Sequence, residues 1–207
     1  MIHNDNLFAQ RRLRTLWAFV AAAPLVAGCG GGGSSDATAA APTPVQAPAS
    51  SPATAPATGE LSTCGLSNFS TRNLQRINQL RASGANCGSS GQFAPAPAVA
   101  WNALLTQAAD GHSQDMAAQN YFDHTSRDGR TFSQRIDATG YAWSTAGENI
   151  AAGYASVDAV MDGWTRSPGH CANLMNQNFT EIGVACVPGN SSTMYSNYWT
   201  MDLARPR

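Results

Sequence analysis

The sequence predicts an α+β domain in which helices cover a small antiparallel sheet. Four segments after residue 69 carry apolar residues at the spacing of an amphipathic helix. Three segments in the C-terminal half are rich in β-forming residues or are flanked by glycine and proline, as strands often are. Helices precede and interrupt these strands, and this order favours an antiparallel sheet over a parallel array of alternating strands and helices.

The first two helices are predicted from their apolar faces. One runs from Ser70 to just before Gly84, and its apolar face contains Leu74, Ile77 and Leu80. The other has the most regular pattern in the chain, and its apolar face contains Trp101, Leu104, Leu105, Ala108, Ala109, His112 and Met116. Because the His112 ring should face the core, we interpret it as a hydrogen-bonded structural residue and not as a ligand.

Two shorter helices and three strands complete the predicted domain. The third helix follows the turn Asp128-Gly129, ends before Gly140 and contains Phe132, Arg135 and Ile136. The fourth ends before Pro168, since the residue before a proline is disfavoured in a helix, and its apolar face contains Val157, Val160, Met161 and Trp164. The strands are predicted around residues 142–152, 181–187 and 194–203.

The first 28 residues have the order of an export signal. Three arginines precede an apolar run from Leu16 to Val26, and small residues lead from this run to Cys29. The run is too short to span a bilayer as a mature helix, and VAGC resembles the lipobox at which bacterial lipoproteins are cleaved and lipidated on the cysteine. We therefore predict a signal peptide over residues 1–28 and membrane attachment through lipid on Cys29. A buried helix is the alternative.

Residues 29–60 are predicted to be a linker, and residues 61–207 the folded domain. From Gly30 to about Gly59 the chain consists almost wholly of Gly, Ala, Pro, Ser and Thr, a composition that cannot bury a core. If this stretch is partly polyproline-like, at about 3.1 Å per residue, it would hold the domain up to roughly 90 Å from its anchor. Such a tethered domain would lie outside the cytoplasm, in the cell envelope or at the cell surface.

The charge of the predicted mature chain argues against nucleic-acid binding. Removal of residues 1–28 takes away Asp5 and three arginines, which leaves twelve acidic residues, nine arginines and no lysine. A chain with this slight negative charge lacks the basic surface that phosphate backbones attract.

The cysteine count indicates two disulfides in an exported domain. If Cys29 is lipidated, the cysteines that remain are Cys64, Cys87, Cys171 and Cys186. Of the three possible pairings, we favour the most local one, which joins Cys64 to Cys87 and Cys171 to Cys186. Free thiols or a four-cysteine zinc site are alternatives, although the sequence contains no CxxC pair.

Three polar residues are candidates for chemistry. His124 and His170 lie just beyond the ends of predicted helices, and Glu148 follows Gly147 in a segment that we interpret as a turn. Two imidazoles and a carboxylate can share a proton network or bind a divalent ion, for which zinc is the best match. The sequence contains no HExxH, GxSxG or phosphate-loop motif.

Several ordered segments carry a family resemblance from about Thr71 to Leu203. They are INQLRASG, WNALLTQAADGHSQDMAAQNYFDHTSRDGRTFSQRI, GYAWSTAGENIAAG, VMDGWTRSPGHCANLMNQNFTEIGVAC and YWTMDL. Together they resemble a bacterial member of the CAP superfamily, which contains cysteine-rich secretory, venom antigen-five and plant pathogenesis-related proteins and is also called the SCP family. The resemblance implies an α-β-α sandwich.

The resemblance also implies a cleft lined by two histidines and two acids, which holds zinc in some members. His124 in FDH, Glu148 in GEN and His170 in PGH match three of these positions, whereas Ser167 stands at the position of the second acid. Glu181 and Asp162 are the candidates to replace that acid. The structural alternative is that Glu148, His170 and His124 serve only as local caps and hydrogen-bond partners.

The leading functional interpretation is a lipid-anchored binding module. The resemblance implies a lipid, glycan or protein ligand and a cleft with zinc or another divalent cation. One alternative is a hydrolase of peptide or cell-wall material, in which His124 or His170 is the base and Glu148 orients it. A serine hydrolase that uses Ser167 and His170 lacks an oxyanion-hole motif, and a stable surface domain without a ligand is the remaining alternative.

The lipid anchor gives a testable prediction. Because VAGC closes the apolar signal segment, Cys29→Ser should move the protein from the membrane fraction to the soluble fraction. Intact-mass analysis of the wild type should show an acylated chain that begins at Cys29. Cleavage at another residue without an acyl mass would contradict the prediction.

Overall fold

The computed structural model describes residues 8–10, as backbone, and residues 61–207. The rest of the predicted signal peptide, the lipidation site Cys29 and the linker lie outside the described residues. Within the described ranges, no helix combines the length and apolar character needed to cross a bilayer.

In the described part of the chain, seven strands form two sheets. In chain order they are β1 (Phe8–Gln10), β2 (Ala85–Asn86), β3 (Gln92–Phe93), β4 (Ala100–Trp101), β5 (Trp143–Ala152), β6 (Glu181–Pro188) and β7 (Asn197–Pro206). The main sheet has the order β1-β5-β7-β6-β4, and β2 pairs with β3 separately. Strands β5, β7 and β6 are antiparallel neighbours, as predicted, whereas the short β4 runs parallel to β6.

Between residues 61 and 207, five α-helices accompany the sheet. They are α1 (Phe69–Ser83), α2 (Ala103–Ala118), α3 (Phe132–Ala138), α4 (Val157–Arg166) and α5 (Pro168–Met175). The Asn102 side chain caps α2, and Thr131 with Gln134 forms a capping box at the start of α3. The first four helices are confirmed, but Trp101, which was assigned to the apolar face of the second helix, lies in β4, and Leu104 on that helix is exposed. Helix α5 was not predicted, because Pro168 was interpreted as a helix stop although proline also suits the first helical position.

The helices form two layers, one on each face of the sheet. Residues of α2 and α3 pack with Ala146, Ile150 and Tyr198, whereas α1, α4 and α5 pack with Trp199 and Met201 on the opposite face. Neighbouring strand residues contact opposite helical layers, because successive side chains of a strand point to opposite faces of the sheet. The predicted α-β-α sandwich is thus confirmed.

Helix α2 lies directly against the sheet at Gly183. A Cβ atom at this position of β6 would lie 2.0 Å from the Thr106 backbone nitrogen, so a larger residue would push α2 away. Glycine therefore permits a close approach that sets the height of α2, and of His112 on it, above the strands.

A buried arginine fixes α1 to the segment between α5 and β6. Arg81 is fully buried, and its guanidinium donates to the carbonyl oxygens of Pro97, Leu174, Asn176 and Phe179 at 2.6–3.1 Å. Burial lowers the pKa of Arg81 to about 10, so the side chain stays charged at neutral pH. Its donors satisfy carbonyl groups that end α5 and the loop after it.

The two disulfides join segments that are distant in sequence. Cys64 pairs with Cys186 and Cys87 pairs with Cys171, with Cα–Cα distances of 5.2 and 5.4 Å. The prediction of two disulfides is confirmed, but the local pairing of Cys64 with Cys87 and of Cys171 with Cys186 is wrong. A β-bridge between Thr63 and Cys186 brings the N-terminal segment beside β6, so packing and not loop length selects the partners.

Candidate functional site

The site is built around Glu148 in the middle of β5. Glu148 pairs in register with Asp202 on β7, so its predicted position in a turn is wrong. Gly147 serves packing instead, because a Cβ atom there would lie 2.9 Å from a ring carbon of Phe179. The strand alternation points Glu148 toward α3 and its neighbour Asn149 toward α5.

His124 contacts Glu148 directly. His124 lies in the loop between α2 and α3, its side chain is only 3% exposed, and its Nδ1 is 2.8 Å from Glu148 Oε1. An ionised carboxylate only accepts hydrogen bonds, so Nδ1 carries the hydrogen and donates it. In the neutral imidazole the lone pair is therefore on Nε2, and this atom is the one that Glu148 orients for a ligand or a proton.

Arg135 on α3 occupies the other oxygen of Glu148. Its Nη2 donates to Glu148 Oε2 at 2.6 Å and to the His124 carbonyl oxygen at 3.0 Å. Its Nη1 donates to Ser126 Oγ at 3.1 Å and to the Arg130 carbonyl oxygen at 3.0 Å. One guanidinium thus joins α3, β5 and the loop that carries His124. We call His124, Arg135 and Glu148 the buried cluster.

The charges of the buried cluster balance internally. Burial alone would raise the pKa of Glu148, but the positive charge of Arg135, with contributions from His112 and His124, outweighs burial and lowers it below the usual range. Glu148 is fully buried and Arg135 is 5% exposed, so the pair is shielded from solvent. Removal of one partner from a buried pair of this kind lowers the free energy of unfolding by about 3 to 5 kcal/mol, because it leaves the other charge buried and unpaired.

His112 has the structural role that the sequence predicts. The ring is fully buried, its Nε2 lies 2.9 Å from the Asp123 carbonyl oxygen, and its edge faces Tyr121. Burial is the main cause that lowers the pKa of His112 to about 4, so the ring is neutral at physiological pH. It supports the loop that carries His124 by holding Asp123 in place.

His170 lies just beyond the end of α4, as expected, but in the first turn of a further helix, α5. Its Nδ1 is 2.8 Å from Ser167 Oγ, which means that the residue in place of the second acid still contacts the imidazole. The two halves of the site are linked through amides: Asn149 donates to the His170 carbonyl oxygen, and Asn173 donates to the Glu148 carbonyl oxygen and to the Asn149 side chain.

Neither predicted replacement for the second acid belongs to the site. Glu181 accepts hydrogen bonds from Tyr141 and Asn102, and Asp162 pairs with Arg76 at the surface. The fold carries both side chains away from His170 and Ser167.

Asp202 is an acid that the sequence interpretation missed. It is fully buried opposite Glu148, and within the described residues neither of its carboxylate oxygens has a hydrogen-bond partner. Burial, reinforced by the charge of Glu148, raises the pKa of Asp202 well above its usual range. The available signal was an acid in the otherwise apolar strand segment YWTMDL. Arg135 was also missed as a site residue, because the sequence marked it only as part of a helix face.

The zinc site predicted from His124, Glu148 and His170 does not fit these contacts. One Glu148 oxygen orients an imidazole and the other neutralises a guanidinium. In the part of the chain that the structure describes, no group of three or more His, Cys, Asp or Glu side chains is arranged to hold a metal ion. Zinc binding by these three residues remains a prediction that the contacts of Glu148 do not favour.

A surface groove adjoins the buried cluster. Its volume is about 400 Å³, and it is lined by Tyr121, Phe122, Asp123, Thr125, Ser126, Arg127 and Met194. We call it the His124 groove, because four of these residues lie within two positions of His124 in the sequence. A second groove of about 490 Å³, beside the start of α1, shares no residue with the buried cluster.

The family is decided by a match along most of the folded domain. The family model for the cysteine-rich secretory protein (CAP) family matches residues 74–203. The chain belongs to this family. The matched region contains the buried cluster, the His124 groove and three of the four disulfide cysteines, whereas Cys64 lies just before it.

Relatives of the CAP domain include bacterial surface and extracellular proteins. The uncharacterised protein YkwD of Bacillus subtilis is 41% identical over 87 residues, which cover 42% of this chain and 34% of that protein. An extracellular protein with an SCP domain from Bacillus anthracis is 29% identical, with a TM-score of 0.51, over 72% of this chain and 45% of the other. An outer surface protein of Borrelia burgdorferi shares the fold at 18% identity, with a TM-score of 0.54, over 65% and 90% of the two chains.

Asp202 gives the CAP domain a specific pH dependence of stability. A carboxyl group whose pKa is raised by folding favours the folded state below its unfolded pKa, near 3.9, and this stabilisation is lost as the pH rises toward the folded pKa. Asp202→Asn should therefore become more stable relative to the wild type as the pH rises from about 4 toward the folded pKa, by up to about 1.4 kcal/mol per pH unit. Urea unfolding at several pH values measures this difference.

Asp202→Ala separates titration from packing. It should remove the same pH dependence, but its free energy of unfolding should be lower than that of Asp202→Asn at every pH, because the smaller side chain leaves a cavity. A stability difference between the wild type and Asp202→Asn that does not change with pH would contradict the assignment of a raised pKa.

Proposed function

We propose that the protein is a lipid-anchored, extracytoplasmic CAP-domain protein that works as a binding module through the His124 groove. The observation that carries this proposal is the internal neutralisation of Glu148, whose two oxygens contact His124 and Arg135 inside the protein. A cluster that is already balanced and buried suits a rigid support for recognition better than a centre that must exchange charge with solvent.

The His124 groove has the chemistry of a recognition surface. Asp123 and Arg127 are exposed and offer opposite charges, and Met194 is 58% exposed, which is unusual for a large apolar side chain. The Arg127 guanidinium lies 4.9 Å from the centre of the Tyr121 ring, so its position is restrained by a cation–π contact. Ser126 lines the groove and accepts a hydrogen bond from Arg135, so ligand contacts with the groove would be transmitted to the buried cluster.

Features of the sequence and the two disulfides support a location of the domain outside the cytoplasm. The predicted signal and the cysteine at position 29 place the domain outside the cytoplasm, and the linker would let it sample a layer beyond the membrane. Two disulfides suit an oxidising compartment. We infer that the ligand is a component of the cell envelope or its surroundings, and that lipids, glycans and proteins are the classes to test.

One contact favours the hydrolase alternative. His124 Nδ1 and Glu148 Oε1 form a buried imidazole–carboxylate pair at 2.8 Å, the arrangement that holds a general base in one tautomer. In that alternative, His124 Nε2 would take a proton from water or from a substrate hydroxyl group.

A sedimentation experiment tests binding through the groove. The chain from Gly30 onward, which lacks the acylated cysteine, is mixed with purified peptidoglycan or with phosphatidylethanolamine–phosphatidylglycerol vesicles. We expect saturable binding to at least one probe and a tenfold or greater loss of affinity in the double variant Arg127→Ala/Met194→Ser, which removes a charge and an exposed apolar side chain. Thr71→Ala in the second groove is the control and should bind like the wild type.

The same samples distinguish the alternatives. If neither probe binds, or if binding is unchanged when Arg127 and Met194 are replaced, the His124 groove is excluded as the site for these probes. Release of soluble fragments from peptidoglycan or a peptide mixture, abolished by His124→Ala, would replace the binding module with the hydrolase.

A further inference from the structure

We propose that Arg135 is the resident cation of the buried cluster, and that it commits Glu148 to orienting His124 in place of binding a metal ion. The inference concerns the cluster that supports the proposed binding function. It is tested by metal binding and imidazole tautomer, which do not depend on finding the ligand of the groove.

The contacts of Arg135 distinguish it from an ordinary surface arginine. All four hydrogen bonds of its guanidinium end on Glu148 or on the loop before α3: on the Glu148 carboxylate, the His124 carbonyl oxygen, the Ser126 hydroxyl and the backbone carbonyl oxygen of Arg130. The planar guanidinium serves acceptors on both sides at once, which the compact ammonium of a lysine does not do in the same geometry. Arg135 therefore fixes the loop that carries His124 as well as the charge of Glu148.

The charge pattern gives Arg135 a role that a bound ion would otherwise fill. Glu148 and Asp202 are two buried carboxyl groups on facing positions of β5 and β7, and His112 beside them is neutral. The positive charge of Arg135 acts on Glu148, on Asp202 and on His112. A permanent cation at this position stabilises ionised Glu148 without a divalent ion.

The geometry makes the guanidinium and a metal ion alternatives. As a metal ligand, Glu148 would have to offer one of its carboxylate oxygens to the ion, yet Oε2 accepts a 2.6 Å hydrogen bond from Arg135 and Oε1 accepts one from His124. An ion on either oxygen would meet the guanidinium at close range in a buried site, where charges are weakly screened. Glu148 thus contacts Nδ1 of His124, as a carboxylate that orients an imidazole ring.

Three variants separate these roles in the full chain. Arg135→Gln removes the cation and leaves the Glu148 carboxylate available to an ion. Arg135→Gln/Glu148→Gln removes both charges of the pair together and leaves an amide oxygen that can still accept from His124 Nδ1, so it is the variant best suited to fold. Arg130→Gln is the matched control, because this exposed arginine lies in the same loop and its side chain pairs with Asp128 instead of Glu148.

Zinc calorimetry at pH 7.5 gives the first readout. We expect the wild type, Arg130→Gln and the double variant to bind zinc with the same affinity within about threefold, or not at all. Arg135→Gln should bind at least tenfold more tightly, because its carboxylate is released to the ion. Circular dichroism of each variant checks that it is folded before the titration.

The tautomer of His124 gives the second readout, through ¹⁵N NMR of the imidazole nitrogens. We expect hydrogen on Nδ1 in the wild type and in the double variant, since both offer an acceptor at position 148. This measurement does not require Arg135→Gln to fold.

Any of three results would overturn the proposal. One is wild-type zinc binding that falls tenfold or more in the double variant, which would make Glu148 a ligand in the presence of Arg135. Another is folded Arg135→Gln that binds zinc no better than the wild type, which would show that the guanidinium and the ion do not exchange. The last is a wild-type His124 with hydrogen on Nε2.

Discussion

The buried ion pair between Arg135 and Glu148 is the constraint on which the site depends. It joins a short helix to the middle of the sheet and, through three further hydrogen bonds of Arg135, fixes the loop that carries His124. A seven-residue helix such as α3 has little stability of its own, so its position comes from tertiary contacts like this one. Because loss of one partner would leave a charge buried, the pair constrains the loop more strongly than surface ion pairs do.

The remainder of the fold supplies a rigid frame for that pair. Gly183 lets α2 rest directly on the sheet, which brings His112 within reach of the loop before His124. On the opposite face, Arg81 and the Cys87–Cys171 disulfide hold α1, α5 and the following loop, and so fix the helix that carries His170. Two helical layers therefore approach the same strand, β5, from opposite faces and are linked there by Asn149 and Asn173.

Local patterns in the sequence predicted helices α1 to α4 and strands β5 to β7, but not the short strands or the contacts between the elements. The periodic faces of α1 to α4 were sufficient, because each helix buries a continuous apolar stripe. Helix α5 was missed because Pro168 can end one helix and begin the next. The disulfide pairing depended on the meeting of residue 63 with β6, which is set by sheet topology and leaves no trace in cysteine spacing.

The motifs FDH, GEN and PGH located three residues of the site, while the chemistry of the site depends on two others. Arg135 and Asp202 contribute a buried cation and a buried acid, and their importance arises from burial and strand register. Ser167 is the opposite case, in which the sequence suggested that a contact is lost. The family resemblance indicates a missing acid at this position, whereas the Ser167 hydroxyl keeps the contact with His170.

A chain whose site carries its own cation has no electrostatic need for a metal ion at Glu148. The most direct test is a crystal structure of the full chain soaked in zinc chloride, with an anomalous difference map at the zinc absorption edge. We expect the Arg135 guanidinium in contact with Glu148 and no anomalous peak bound to its carboxylate. A peak at about 2.0–2.2 Å from a Glu148 oxygen, with Arg135 displaced, would contradict the role assigned to Arg135.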